Sequence, residues 1–242
     1  LACSMHLDVK MAPLVEALLA RGAEVFLTTC NPMTVRDAVV SHLVDRGAHA
    51  DARNGMTDVE LRASYETALA WGPTHLCEMG ADLSATAHRH GVPDSIRTGM
   101  EATGSGVARL ERMQLSYPVF NWDDIAVKEG LHNRYMVGIS TWHAFFERTR
   151  LTLHGKRVLV VGFGLVGHGL ADAARAFGGA VTVAEREPSR ILEAEYAGYH
   201  VADLDAALPA ADVVVTATGV SGLLGRERLA RLPGGAIVLN AS

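Results

Sequence analysis

The sequence predicts an α/β protein of two lobes, each built on an open, mostly parallel sheet with helices on its faces. Short apolar runs alternate with helix-period segments along most of the chain, the pattern of strands joined by crossover helices. One such run, 158–161, opens directly onto Gly162, Gly164 and Gly167 in the order G-x-G-x-x-G, with a helix-period segment over 165–177 behind it. The length of 242 residues and a hydrophobic share of 49% suffice for two ordinary domains. The expected boundaries are a first lobe over 1–132, a connecting helix and hinge over 133–150, and a second lobe over 151–242.

In the first lobe, residues 1–4 read as a strand and 11–19 as a helix stopped by Gly22. A strand over 24–28 is followed by a helix over 34–44. Thr57 is placed to cap a helix over 58–69, ahead of a strand at 75–78 and a helix at 83–90. Residues 98–106, TGMEATGSG, read as a small-residue loop from which Ser105 caps a helix over 106–113. An extended segment over 117–121, a short helix over 124–128 and a long helical pattern over 133–148 lead into the glycine stretch. The strand carboxyl ends, with Met5 and His6, Cys30 and Asn31, and Glu78 and Met79, mark the expected substrate cleft.

The second lobe reads as a dinucleotide-binding Rossmann unit. Gly162 allows the sharp turn, Gly164 admits backbone to a pyrophosphate, and Gly167 lets the helix pack close to its strand. The helix start then directs free N–H groups and its positive dipole end at phosphate. The next apolar run, 181–184, closes on Glu185, an acceptor for an adenosine ribose. A carboxylate there repels a 2′-phosphate, which favours NAD over NADP, with nearby Arg190 softening the preference. The competing reading of the glycines is an ordinary turn in another α/β domain. A helix over 204–208, strands over 211–216 and 236–240, and a turn over 216–219 complete the lobe.

The net charge of −5 leaves no basic footprint for nucleic acid. No apolar run approaches the roughly 18 residues needed to cross a bilayer, so a membrane is not an expected partner. Cys3, Cys30 and Cys77 are far apart in the chain, with no C-x-x-C pair, so neither a metal site nor a disulfide framework is expected and a cytoplasmic setting fits. The chain opens and closes on strand-like residues, so further residues are expected at both ends, including a C-terminal part of the second lobe.

GKRVLVVGFGLVGHG, AEREPSR, VVVTATG and AIVLN stand in the chain together with Cys30-Asn31 and the segment from Asp124 to Tyr135. In these segments, and nearly end to end, the sequence resembles the S-adenosylhomocysteine hydrolase family. The resemblance implies bound NAD that oxidises a nucleoside 3′-hydroxyl, loss of the 5′ substituent by elimination, addition of water, and return of the hydride. It implies Lys128 at the 3′-hydroxyl, Asn133 between substrate and nicotinamide, and His6 near the 5′ end. Thr103, Ser105, Leu165, Val166, Thr218 and Asn240 would join the cofactor contacts, and Asp8, Lys10, Cys30, Asn31, Glu78, Met79 and Glu101 the substrate contacts. Taken singly, Lys128 would read as a solvated surface lysine and His6 as a packed histidine. The resemblance also implies a homo-oligomer, a dimer or tetramer.

Apart from Arg190, the departures fall on the substrate side. Met79 and Ala102 stand where the family has carboxylates used in the proton steps, and His132 stands where an aspartate partners the lysine. Lys10 replaces a carboxylate that accepts from an exocyclic amine, and Arg190 an asparagine. The expectation is a specialised relative: an NAD-dependent enzyme that oxidises a nucleoside 3′-hydroxyl and eliminates across C4′ and C5′, with His132 as base or as orienter of Lys128. The alternatives are S-adenosylhomocysteine hydrolysis, a nucleoside 3′-dehydrogenase or epimerase, and a non-catalytic NAD-bound protein.

Overall fold

The computed structural model describes residues 1–241. The chain forms two compact units, Leu1–Asp124 and Ile125–Ser242, and each carries one parallel sheet.

The first unit runs β1 (Ala2–Ser4), α1 (Ala12–Ala20), β2 (Phe26–Thr28), α2 (Asp37–Asp45), β3 (His49–Ala50), α3 (Asp58–Ala70), β4 (His75–Glu78), α4 (Asp82–His90), β5 (Thr98–Glu101), α5 (Gly104–Leu110) and β6 (Val119–Asn121). Its six strands lie in the order β3-β2-β1-β4-β5-β6. The order reverses at the β1–β4 pair, where Ser4 registers with Glu78. The crevice at such a reversal is where open α/β sheets bind ligands. Side chains on both faces of this sheet are buried: Cys3, Val15, Leu27 and Leu43 form one cluster, and Ala2, Tyr65, Leu76 and Leu83 another.

The second unit runs from a π-helix (Lys128–Met136) into α6 (Val137–Thr149), then β7 (Arg157–Val161), α7 (Leu165–Ala176), β8 (Ala180–Ala184), α8 (Pro188–Tyr196), β9 (His200–Val201), α9 (Leu204–Ala207), β10 (Val213–Thr216), α10 (Arg226–Leu229) and β11 (Ile237–Asn240). The strand order is β11-β10-β7-β8-β9, reversing at β7–β10. The central strand reads Val-Leu-Val-Val because helices cover both of its faces, and all four residues are buried.

Several sequence expectations are corrected. Residues 98–106 are not a loop but β5 and the start of α5. Their glycines make room: a Cβ on Gly99 would press on Val119 at 3.3 Å, and one on Gly106 would overlap the Glu101 carboxylate. The cap of α5 is Thr103, whose hydroxyl accepts from the Gly106 N–H at 3.0 Å, rather than Ser105. The helix expected at 34–44 begins later, at Asp37, because Asn31 first caps a 3₁₀ turn over Pro32–Thr34. The helix expected over 133–148 begins earlier and is a π-helix over Lys128–Met136, while the short helix expected over 124–128 is reduced to its last residues, with Asp124 in a turn and Ile125 in a bend. Cys3 and Cys77, distant in sequence, are register partners on β1 and β4; all three cysteines are free thiols. The Thr57 cap is present as a full capping box with Glu60.

Candidate functional site

In the second unit the strand–turn–helix geometry meets the requirements of a dinucleotide. Gly162 has φ +95°, a backbone setting that disfavours any residue with a Cβ. A Cβ there would also lie 2.7 Å from the Ala217 carbonyl oxygen, and one on Gly167 would overlap the Gly162 carbonyl. The turn therefore hugs both the next helix and the end of β10. Gly164 starts α7 with no side-chain cap, and the first helical bond runs from the His168 N–H to the Gly164 carbonyl at 2.8 Å. The first-turn amides of Leu165, Val166 and Gly167 precede that bond and point out of the helix start, as an anion requires.

Beside this turn lies a cavity of about 700 Å³ lined by Gly162, Glu185, Arg190, Asp203, Thr218 and Arg228, among others. Glu185 accepts from the Phe163 N–H at 2.7 Å and from the Arg186 and Glu187 N–H groups at 2.7 and 3.0 Å. Burial would raise its pKa, but these amides and the charge of Arg190 outweigh burial and hold it below the usual glutamate value. The carboxylate is thus ionised and fixed at the strand end. Asn240, at the end of β11, accepts from the Thr216 hydroxyl at 2.9 Å.

The same unit carries the expected catalytic lysine. A π-helix closes i→i+5 bonds, so residues five apart fall nearly one turn apart. Lys128 and Asn133 have that spacing, and Lys128 Nζ donates to Asn133 Oδ1 at 2.7 Å. His132 Nδ1 lies 3.3 Å from the same oxygen, with its ring exposed. Asn133 is buried. On an α-helix the five-residue spacing would splay this pair apart.

In the first unit, His6 follows β1 and its Nδ1 bonds the Thr34 hydroxyl at 2.8 Å, with Cys30 Sγ at 3.7 Å. Burial lowers the His6 pKa, with Asp8 opposing and Lys10 adding to the shift, so the ring is neutral at neutral pH. Burial pushes the Cys30 thiol up to about 12, which makes it inert as a nucleophile. Asp8 accepts from the Lys10 and Met11 N–H groups at 2.9 and 3.2 Å, and Lys10 Nζ lies 3.5 Å from its other oxygen. Asn31 turns its side-chain oxygen to the Met33 N–H at 3.0 Å.

Glu78 and Glu101 were expected to meet substrate; the structure turns both onto backbone donors. Glu101, 1% exposed, accepts from the N–H groups of Gly80, Ala81 and Thr103 and from the Thr103 hydroxyl, at 2.7–3.2 Å. Glu78, 3% exposed, accepts from the Leu83 and Ser84 N–H groups at 2.6 and 3.1 Å and from the Ser84 hydroxyl. Burial raises its pKa to about 7 against these donors. The two carboxylates brace the turn that carries Met79, Gly80 and Ala81, and Ala81 sits at φ +59°. Ser105 is exposed beside the Thr103 hydroxyl, at 3.3 Å. Sequence reasoning missed this brace because a carboxylate at a strand end reads alike whether it faces ligand or backbone.

Comparison with known proteins follows the division between the units. Residues 1–96 match the family model described as S-adenosyl-L-homocysteine hydrolase, and residues 133–242 match its NAD binding domain. The chain belongs to the S-adenosylhomocysteine hydrolase family. Its second unit is an NAD-binding domain, and the cradle, the cavity and Glu185 fit that cofactor.

Among curated relatives, the S-inosyl-L-homocysteine hydrolase of Methanopyrus kandleri is 35% identical over 244 residues, covering 98% of this chain and 58% of the relative. The adenosylhomocysteinase of Pyrobaculum aerophilum is 35% identical over 268 residues, covering 100% of this chain and 61% of the relative. The chain therefore spans about three-fifths of the length of these relatives. Among solved structures, a dipicolinate synthase subunit from Bacillus halodurans aligns with a TM-score of 0.55 at 14% identity, covering 98% of this chain and 80% of that one, a likeness of fold. No helix among the described residues is long and apolar enough to cross a membrane.

Proposed function

We propose that this family member acts on a nucleoside-bearing substrate by transient oxidation of its 3′-hydroxyl followed by elimination across C4′ and C5′. The observation that carries the reading is the Lys128–Asn133 pair, 2.7 Å apart on a π-helix in the unit that holds the intact dinucleotide cradle. Bound NAD supplies reversible oxidation of a secondary alcohol. Leu165, Val166 and Gly167 would hold its pyrophosphate, Glu185 its ribose, with Thr218 and Asn240 beside it. Lys128, steadied by Asn133, takes the 3′-hydroxyl proton as the alcohol is oxidised. The resulting ketone acidifies the C4′ proton, and His132, next to Asn133, is the base for it. His6, neutral and with its Nδ1 turned to Thr34, would offer Nε2 to the 5′ substituent. Glu78 and Glu101 act through the turn they brace rather than on substrate. Met79 and Ala102 supply no carboxylate for adding water back, so once the C4′ proton and the 5′ substituent have left, return of the stored hydride to C3′ would give a 4′,5′-unsaturated nucleoside with its 3′-hydroxyl restored.

A second reading, complete hydrolysis of an S-nucleosyl-homocysteine, is favoured by the activities for which the relatives are named. Those names include both a 6-amino and a 6-oxo purine. Lys10 offers a donor, so a 6-oxo base such as hypoxanthine suits this chain better than adenine.

The test is to load the protein with NAD and incubate it with S-adenosylhomocysteine, S-inosylhomocysteine, adenosine and inosine. A lasting 4′,5′-ene detected by mass supports elimination, and homocysteine released to a thiol reagent supports hydrolysis. Unchanged substrate and no reduced-nicotinamide absorbance with all four would remove both readings.

A further inference from the structure

The π-helix that pairs Lys128 with Asn133 needs an anchor, because an i→i+5 stretch packs and hydrogen-bonds less well than an α-helix and persists only where its surroundings hold it. The anchor begins one residue on. Arg134 is directed towards α7, with its side chain 16% exposed. Its Nη2 donates to Asp172 Oδ2 at 2.9 Å, and Asp172 lies on the helix that starts at the glycine turn. The other Asp172 oxygen accepts from Arg175 Nη2 at 3.3 Å and from the Tyr199 hydroxyl. Burial opposes ionisation of Asp172, but Tyr199 and Arg134 outweigh it and the carboxylate stays charged.

Backbone contact completes the seam. A Cβ on Gly169 would overlap the Arg134 carbonyl, and a Cβ on Gly138 would overlap the Gly169 carbonyl. Gly169 and Asp172 lie three apart on α7, on one helix face. Trp142 Nε1 donates to the Leu170 carbonyl at 3.0 Å one turn further along α6. The ion pair and the two glycines therefore fix the π-helix to the helix whose first turn receives the pyrophosphate.

We infer that Arg134 and Asp172 are positioning residues that set Lys128 and Asn133 relative to the dinucleotide. The functional part of this inference rests on the reaction proposed above; the mechanical part, that the pair holds the π-helix in register, does not. Asp172 touches neither the glycine turn nor Lys128, and a role in overall stability alone would leave the oxidation step intact in the folded fraction.

The experiment uses the NAD-loaded full chain and three variants: Asp172→Asn, which keeps an acceptor for Tyr199, Arg134→Met, and the exchange Arg134→Asp with Asp172→Arg. Amide hydrogen exchange across 128–137 should quicken in both single variants, with exchange in β7 and β8 unchanged, and should slow again in the exchange variant. The single-turnover rate of reduced-nicotinamide formation should fall about 10- to 100-fold in the single variants, with substrate KM and retained NAD changing less than about threefold. Exchange in 128–137 that matches the parent in both single variants overturns the inference outright, whatever the activity. Quickened exchange with an unchanged single-turnover rate overturns the positioning role in catalysis while the proposed reaction stands. Should the parent itself oxidise no nucleoside, the proposed reaction fails, and hydrogen exchange still decides whether the pair holds the π-helix.

Discussion

The two units run the same strand order outward from their first strands yet put opposite chemistry where that order reverses. At β7–β10 the reversal is lined by main chain: Gly162 is pressed against the Ala217 carbonyl, and the uncapped start of α7 lies beyond it. At β1–β4 the chain after the first strand is Met5-His6-Leu7, with no glycine, and the neighbouring turn is braced by two buried carboxylates. The difference teaches what each ligand demands. A pyrophosphate is bound by N–H groups and a dipole, so side chains must be absent. In the first unit, two buried carboxylates instead tie the turn after β4 down from beneath, which suits the proposed nucleoside, a ligand that would be read at its edges by side chains held at set angles.

The largest break in this contrast comes from Gly167→Ala. Its Cβ would overlap the Gly162 carbonyl, so NAD retained through gel filtration should drop on the order of 100-fold. The thermal midpoint should also fall, reflecting about 1–3 kcal/mol of overpacking. Glu185→Gln should reduce the preference for NAD over NADP about 10-fold, read by titration calorimetry with each dinucleotide, because a charged acceptor is lost beside the ribose.

A pH test sharpens the other side. Glu78 is raised to about 7 in the folded unit, so the fold binds a proton that the unfolded chain releases near the ordinary glutamate value. Its contribution to stability is present in full below that value and is lost as pH rises through about 7. It amounts to at most about 3 kcal/mol at 1.36 kcal/mol per unit. Denaturant unfolding of the parent should weaken across this window, and Glu78→Gln should flatten the profile without changing NAD content. The smallest effect belongs to Thr57→Ala, which removes the capping box of α3. It should cost about 1 kcal/mol in the first unit and leave NAD affinity unaltered.

The second unit was legible because its motif is a backbone requirement written as glycine at fixed spacing, flanked by apolar runs that only a doubly covered strand tolerates. The first unit was legible in its longer helices and in Thr57. It was opaque where glycine serves a neighbour: Gly99 and Gly106 clear Val119 and Glu101, so strand and helix read as loop. Strands of two residues, β3 and β9, carry too little pattern to be seen. For the site, the identity of Lys128 and Asn133 came from the family resemblance, while their pairing depends on a π-helix of nine residues, too short to show its own period in the sequence. The only local signal was the five-residue interval. The direction taken by Glu78 and Glu101 left no trace in sequence at all.

Trp142 is fully buried and its indole is bonded to the backbone of the cofactor helix, whereas Trp71 packs on Phe26 in the other unit. Each half of the chain thus contains its own fluorophore. With Trp122 replaced by phenylalanine, emission from Trp142 and Trp71 would allow melting of the two halves to be followed separately in one cuvette, with no label attached.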